Sequence, residues 1–404
     1  MGMEFDRLSN LPLDVLEQIL SCLPIKEAVK TSVLSSNWRY KSATLPHLVF
    51  DDQCVSAQNH AAFVKIVDHV LHSHIGPIHK FKLSHHHLEA TSDIDRWILH
   101  LSRNAIKEFI LEIWTRRRYS IPSCLFSCRD IAHLELYHCL VKLPPQFKGF
   151  GSLKSMDFQR VHLSQDVLET MIACCPLLEK LTLANCHGFT RFKINAPNLQ
   201  IFDLEGDYED FILENTSNLA QVCIDLDVKV DQRQILDLNC SNLLKFFADL
   251  PNIRRLKIQS CFLKYLAVGA LPEKLPEPCL HLEFVSVCVS FSDLDEILTL
   301  LCLLRSSPAL KNLEILVPQD HQAVAREVKS WLHDHVNFHF TQLRFVKITD
   351  LSGVNAALDF IRFLLLSSPV LEKMTIKPTS VIDIPELDKV DPFMCASERA
   401  KIIY

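Results

Sequence analysis

The stretches CCPLLEKLTL (residues 174–183), SSPALKNLEI (306–315) and SSPVLEKMTI (367–376) share one grammar: two small residues, a proline, and then Leu178, Leu310 or Leu371 followed at +3 and +5 by further apolar residues. The +3 and +5 positions alternate with polar ones, the period of a short strand with one buried face. The same apolar triplet occurs twelve times, beginning at Ile78, Ile106, Ile131, Leu153, Leu178, Leu199, Leu219, Ile253, Leu282, Leu310, Leu343 and Leu371, at intervals of 20 to 34 residues. One such strand cannot bury its face alone, but neighbours stacked in parallel can, so the pattern predicts an α/β solenoid built on a parallel sheet. Helical connectors are clearest over 167–174, 294–304 and 356–366, ending at Pro176, Pro308 and Pro369.

A chain of 404 residues exceeds the usual size of one compact core, and the repeats favour an elongated array. A net charge of −6 offers no broad basic surface, which argues against nucleic acid as a partner. The longest apolar stretches, near 297–304 and 360–366, are too short to cross a bilayer, and residues 1–10 lack a secretion pattern. A cytoplasmic or nuclear protein with no membrane contact is expected. Fifteen cysteines, odd in number and without a CxxC pair, suggest reduced thiols. Cys139, Cys186 and Cys261 each lie eight residues after a triplet's first position, where a small buried residue turns the chain.

Residues 6–50 follow a different period. Asn10 can cap a helix that tolerates Pro12 in its first turn, and Leu16, Ile19, Leu20 and Leu23 then form one apolar stripe. Pro24 stops that helix, and two shorter ones are expected over 25–30 and 32–41, the latter carrying Val33, Leu34 and Trp38. Such a small module buries a low fraction of its surface by itself, so a partner surface is its natural complement. A further helix within 51–77, ending before Gly76-Pro77, is expected to cap the open end of the solenoid.

DRLSNLPLDVLEQILSCLPIKEAVKTSVLSSNWR (6–39) resembles the F-box, with landmarks at Leu11-Pro12, Ile19-Leu20, Leu23-Pro24 and Trp38-Arg39. Together with the repeats, LEFVSVCVSFSDLDEILTLLCLLRSSPALKNLEI (282–315) and LRFVKITDLSGVNAALDFIRFLLLSSPVLEKMTI (343–376), the chain is similar to the plant F-box/FBD/leucine-rich-repeat proteins. That resemblance implies an F-box over 6–50, a helical linker or cap over 51–77, irregular leucine-rich repeats over 78–340 and an FBD segment over 341–395 that continues the solenoid. It further implies a non-catalytic substrate receptor of a Skp-cullin-F-box ubiquitin ligase. A Skp-type adaptor, and through it a cullin, would bind Leu11, Pro12, Leu16, Ile19, Leu20, Leu23, Pro24 and Trp38. The target protein would meet polar positions between the buried strand residues: Lys180, Thr182, Asp203, Glu205, Arg255, Lys257, Lys347 and Lys373. A non-degradative adaptor-binding scaffold and a small-molecule-gated receptor are the alternatives.

Neither GxGxxG, a phosphate loop, GxSxG nor HExxH is present, so no catalytic residue, metal or cofactor is expected. His85, His86 and His87, with His72, His74 and His79 nearby, fit no defined ligand spacing and read as a polar loop, as do His333, His335 and His339. Arg116-Arg117-Arg118 reads as a solvated loop, and Cys174-Cys175 as buried inert thiols before Pro176.

Overall fold

The structure is a computed structural model that describes residues 11–21, 23, 25–31, 42–53, 59–226, 241–260, 262–318, 339–351, 355–378 and 395–403. It forms two compact units, Met1–Ala196 and Pro197–Tyr404. The first contains α1 (Leu13–Ser21), α2 (Ile25–Lys30), β1 (His47–Asp51), α3 (His60–Ser73), β2 (Lys80–Ser84), α4 (Ser92–Leu101), β3 (Glu108–Glu112), β4 (Tyr119–Ser120), β5 (His133–Tyr137), β6 (Cys139–Leu140), β7 (Ser155–Gln159), α5 (Gln165–Ala173), β8 (Lys180–Ala184) and β9 (Arg191–Asn195). Strands β1, β2, β3, β5, β7 and β8 pair in that order, all parallel.

The second unit contains β10 (Ile201–Gly206), β11 (Asp210–Glu214), β12 (Gln221–Leu226), α6 (Asn242–Ala248), β13 (Arg255–Ser260), α7 (Phe262–Leu266), β14 (Phe284–Cys288), α8 (Leu294–Arg305), β15 (Asn312–Leu316), β16 (Phe345–Leu351), α9 (Asn355–Ser367), β17 (Lys373–Pro378) and β18 (Lys401–Ile403). Here β10 and β12 to β18 pair in sequence order, again all parallel. No described helix is long and apolar enough to cross a membrane.

Every residue of the twelve triplets is at most 2% exposed. The +3 and +5 residues are opposed across each described strand pair, as in Phe81↔Phe109↔Leu134↔Met156↔Leu181, so each row is a continuous apolar ridge. The residue after each triplet's first position has a further task. The His79 carbonyl accepts the amides of Lys107 and Glu108; the Lys107 carbonyl accepts Ala132 and His133; Ala132 accepts Lys154 and Ser155. In the second unit Gln200, Ala220, Arg254, Glu283, Lys311 and Arg344 each receive two amides of the next repeat in the same way. Both carbonyl lone pairs are thus used, and successive repeats are locked in register.

That geometry shows a repeat the sequence pattern passed over. Leu45, Leu48 and Phe50 have the +3/+5 spacing, are buried, and the Pro46 carbonyl accepts His79 and Lys80. Strand β1 therefore begins inside the stretch assigned to the head. The helix expected to cap the open end of the solenoid is α3, and it does not: it connects β1 to β2, which pair directly. Its Phe63, Val67 and Leu71 are buried, and the Phe63 ring meets Phe50 of β1 edge-on with centres 6.5 Å apart. The helix expected over 32–41 and the residues Asn10, Pro24 and Trp38 lie outside the described residues.

After the strand the chain turns seven residues past the triplet's first position. His138, Arg160, Asn185 and Asp350 hold positive φ there (57°, 52°, 52° and 60°), and Gly206 fills the same place. One residue later Cys139 and Cys186 are buried; their thiols donate to the Tyr137 and Phe158 carbonyls, both at 3.3 Å. Cys261 lies outside the described residues.

Candidate adaptor and target surfaces

The head is small, and its stripe divides in two. Leu16 and Leu20, one turn apart, are 3% and 0% exposed and form a cluster with Ala28 and Leu45, against which Leu11 is partly buried. Ile19 and Leu23 point elsewhere: both are 38% exposed, and Val15 at 37% continues their row at i, i+4, i+8 spacing. Pro12 is exposed, and its carbonyl accepts Val15 and Leu16 at 3.1 Å to start α1. The residues named from sequence thus have different tasks. Leu16 and Leu20 tie the head to the first triplet through Leu45, while Val15, Ile19 and Leu23 form an apolar row open to solvent. Val15 escaped the sequence reading because a stripe counted from Leu16 does not reach it. Pro24 and Trp38 lie outside the described residues.

The polar positions of the sheet lie where the alternation put them, and strand pairing aligns them into rows. In the second unit Asp203, Cys223, Lys257, Ser286, Glu314, Lys347 and Thr375 are successive register partners. Lys347 lies 3.8 Å from Glu314, and the Arg255 guanidinium is 4.1 Å from the centre of the Phe284 ring. Glu205 sits opposite Asp225, and Lys373, opposite Phe345 and Lys401 in a different row, is exposed. In the first unit the face is largely self-paired: Lys80 with Glu108 (2.8 Å), Lys82 with Glu112 (3.4 Å) and His133 with Glu135 (3.5 Å). The hydrogen bond from His133 holds the Glu135 carboxyl below its usual range against the effect of burial. Burial and the Glu135 charge push Asp157 the other way. Lys180 and Thr182 are half-buried, and the Thr182 hydroxyl is shielded without a hydrogen-bond partner.

The histidine run is not a plain polar loop. His85 is 1% exposed and packs on Phe63, with ring centres 4.7 Å apart. Register Asp51↔Ser84 brings Asp52 beside it, and Asp52, His85 and His86 present ligand atoms within 4.8 Å of one another. Tautomer chemistry speaks against a metal there. The His85 Nδ1 accepts the His87 amide at 3.1 Å, so its proton sits on Nε2, which faces Asp52 Oδ1 at 3.3 Å as a donor rather than a ligand. Asp52 also accepts from His86 through its ring and its amide. Burial raises the Asp52 pKa, but these hydrogen bonds outweigh it and the net shift is downward. The group is a carboxylate clasp between β1 and β2. His333 and His335 lie outside the described residues, and His339 is exposed.

Arg116, Arg117 and Arg118 are exposed beyond the end of β3, as a solvated loop should be. Among the cysteines, burial pushes Cys175 and Cys302 up to about 11 and Cys128 and Cys279 up to about 12, which leaves them as protonated core residues.

Comparison with known proteins places these surfaces in a family. Three family models match in succession: the F-box domain over residues 8–49, the LRR repeats of the FBD-associated F-box protein At5g56370 over 94–315, and the FBD over 340–376. The Arabidopsis thaliana F-box/FBD/LRR-repeat protein At1g13570 is 38% identical over 100% of this chain and 99% of its own length. The FBD-associated F-box protein At1g66310 of the same plant is 28% identical over 92% of this chain and 90% of its own. The F-box/FBD/LRR-repeat protein At5g53840, also from Arabidopsis thaliana, is 27% identical over 93% and 89%. A match of this extent to the first relative, with all three modules in order, means that the chain belongs to the F-box/FBD/LRR-repeat protein family.

Proposed function

We propose that this chain is the substrate-recognition subunit of a Skp-cullin-F-box ubiquitin ligase: the head grips a Skp-type adaptor and the repeats hold a target protein. The observation that carries the reading is the open row Val15, Ile19 and Leu23 on a head whose opposite side, Leu16 and Leu20, is anchored to Leu45 of the first repeat. An apolar row at helical spacing, left open while its neighbours are buried, is the geometry of a helix that docks into a partner. Through the adaptor and a cullin, a captured target is held near a ubiquitin-loaded enzyme. Its lysines then meet that enzyme at a high effective concentration. The chain itself makes and breaks no bond, and it would work in the cytoplasm or nucleus.

The test separates the open row of the head from its buried side. Full-length Ile19→Asp/Leu23→Asp should keep its circular dichroism and lose at least a hundredfold in affinity for a purified Skp-type adaptor by calorimetry, about 2.8 kcal/mol. Leu20→Asp should instead unfold the head, lowering the thermal midpoint as well as adaptor affinity. Undiminished adaptor binding by the Ile19/Leu23 variant would sink the assignment.

A further inference from the structure

The sheet face of the first unit pairs most of its charges, whereas the arginines at the edge beyond the strand ends have no carboxylate partner among the described residues. Trp114, just past β3, is 55% exposed and lies on the Tyr137 ring at the end of β5, with ring centres 4.4 Å apart and planes at 33°. The Arg160 guanidinium, just past β7, stands 5.8 Å from the centre of the same Tyr137 ring. Register Glu112↔Tyr137↔Gln159 explains the grouping, since Trp114, Tyr137 and Arg160 follow adjacent strands. Arg118 and Arg160 both act on His138, together with His187, so the charged neighbours of that imidazole are all cations; burial first, then those charges, hold it below the usual histidine range.

Among the described residues Arg116, Arg117, Arg118 and Arg160 have no carboxylate partner, although the chain as a whole carries a charge of −6. Unpaired guanidiniums beside an exposed tryptophan are what an interface keeps available: arginine for bidentate carboxylates, and tryptophan for an apolar side chain at low entropic cost.

We propose that this edge, centred on Trp114, Tyr137, Arg118 and Arg160, is a docking surface for an extended Asp/Glu-rich segment of the target protein that lays one aromatic or aliphatic side chain on Trp114. The proposal rests on the reading of the repeats as a target receptor and names the chemistry the target must carry. Carboxylates suit the site better than a long polyanion does. Their attraction is screened within about 8–10 Å, the reach of a short acidic segment laid beside Trp114, and each planar guanidinium can pair with a carboxylate through two parallel hydrogen bonds.

The experiment uses the full-length chain and fluorescence anisotropy with a labelled peptide of Glu and Asp around one Phe, its Gln/Asn analogue, and an oligouridylate. The acidic peptide should bind, its Gln/Asn analogue should not, and added salt should weaken the complex. Arg118→Glu/Arg160→Glu should weaken it at least about tenfold, and Trp114→Ala about fivefold. Peptide addition should shift tryptophan emission in the parent and not in Trp114→Phe. All of these variants should keep parental adaptor affinity, while Ile19→Asp/Leu23→Asp should keep peptide binding. Failure here and failure of the adaptor assignment are therefore read independently. Equal binding of the neutral peptide, indifference to the arginine reversals, or tighter binding of the oligouridylate at the same residues would overturn the proposal.

Discussion

At the scale of single residues, this molecule shows how one row of polar positions can contain opposite electrostatic situations. Glu135 and Asp157 are register partners on adjacent strands. Glu135 accepts from His133 and is easier to ionise than in the unfolded chain; Asp157, half-buried and facing that charge, is harder. A carboxyl whose folded pKa is raised contributes its stability below the unfolded pKa, and that stability is lost as pH rises through the folded value. At neutral pH the charge on Asp157 therefore works against the fold. Asp157→Asn keeps an oxygen for the Gln159 amide, which donates to Oδ1 at 3.1 Å, and removes the charge. The variant should melt at a higher temperature than the parent at pH 7. The gap should shrink as the buffer is acidified through the folded pKa of Asp157, which burial and the Glu135 charge hold above the usual aspartate range. A pH-independent difference, measured by differential scanning fluorimetry, would point to packing instead.

At the scale of elements, the connectors of the second unit are set by caps. Asp293 accepts the amides of Asp295 and Glu296 at 3.1 and 3.4 Å to open α8, and Glu296 reaches back to the Ser290 amide at 2.9 Å. At the other end the Ser306 hydroxyl donates to the Cys302 carbonyl at 2.7 Å and accepts the Leu275 amide at 2.8 Å. This gives the Ser306-Ser307-Pro308 stretch a physical role: its two hydroxyls, donating to the Cys302 and Leu303 carbonyls, close the buried helix end before proline stops it. Asp293→Ala should cost about 1 kcal/mol, within the 0.5–2 kcal/mol usual for a lost cap, as a lowered urea midpoint with an unchanged slope.

The same scale shows what the sequence made legible. Strands with a full triplet were readable because burial on one face imposes alternation, and α5, α8 and α9 because they begin or end on capping and proline signals. Strand β1 was hidden because Leu45, Leu48 and Phe50 directly follow a stretch with helical spacing. Strand β18 was hidden because Arg399 stands where its first apolar residue belongs. The division of the head's apolar stripe was half legible. Periodicity gives a stripe, but only the position of Leu45 decides that Leu16 and Leu20 face inward and Ile19 outward. The Asp52 clasp and the Trp114–Tyr137–Arg160 group were beyond periodicity altogether, since their members meet only through strand register.

At the scale of the whole molecule, a stacked sheet must end, and an end strand presents unpaired amides and carbonyls to any passing chain. In the first unit that strand is β1, and the head packs on it through Leu45, so adaptor-binding module and sheet edge are one construction. In the second unit the end is β18, three residues that pair with Lys373–Thr375, held by the Ser397 hydroxyl donating to the Leu371 carbonyl at 2.7 Å. Removing residues 395–404 should therefore bare β17, whose Met374 and Ile376 lie on the buried face. The truncated chain should elute earlier than the parent on size exclusion, with the shift growing with concentration. Removal of residues 1–52 should do the same by baring β2, whereas removal of 1–41 spares β1, uncovers only the Leu45 side of that edge, and should give a smaller shift together with loss of adaptor binding. If the 1–52 and 1–41 truncations behaved alike, β1 would not be the strand that closes this edge.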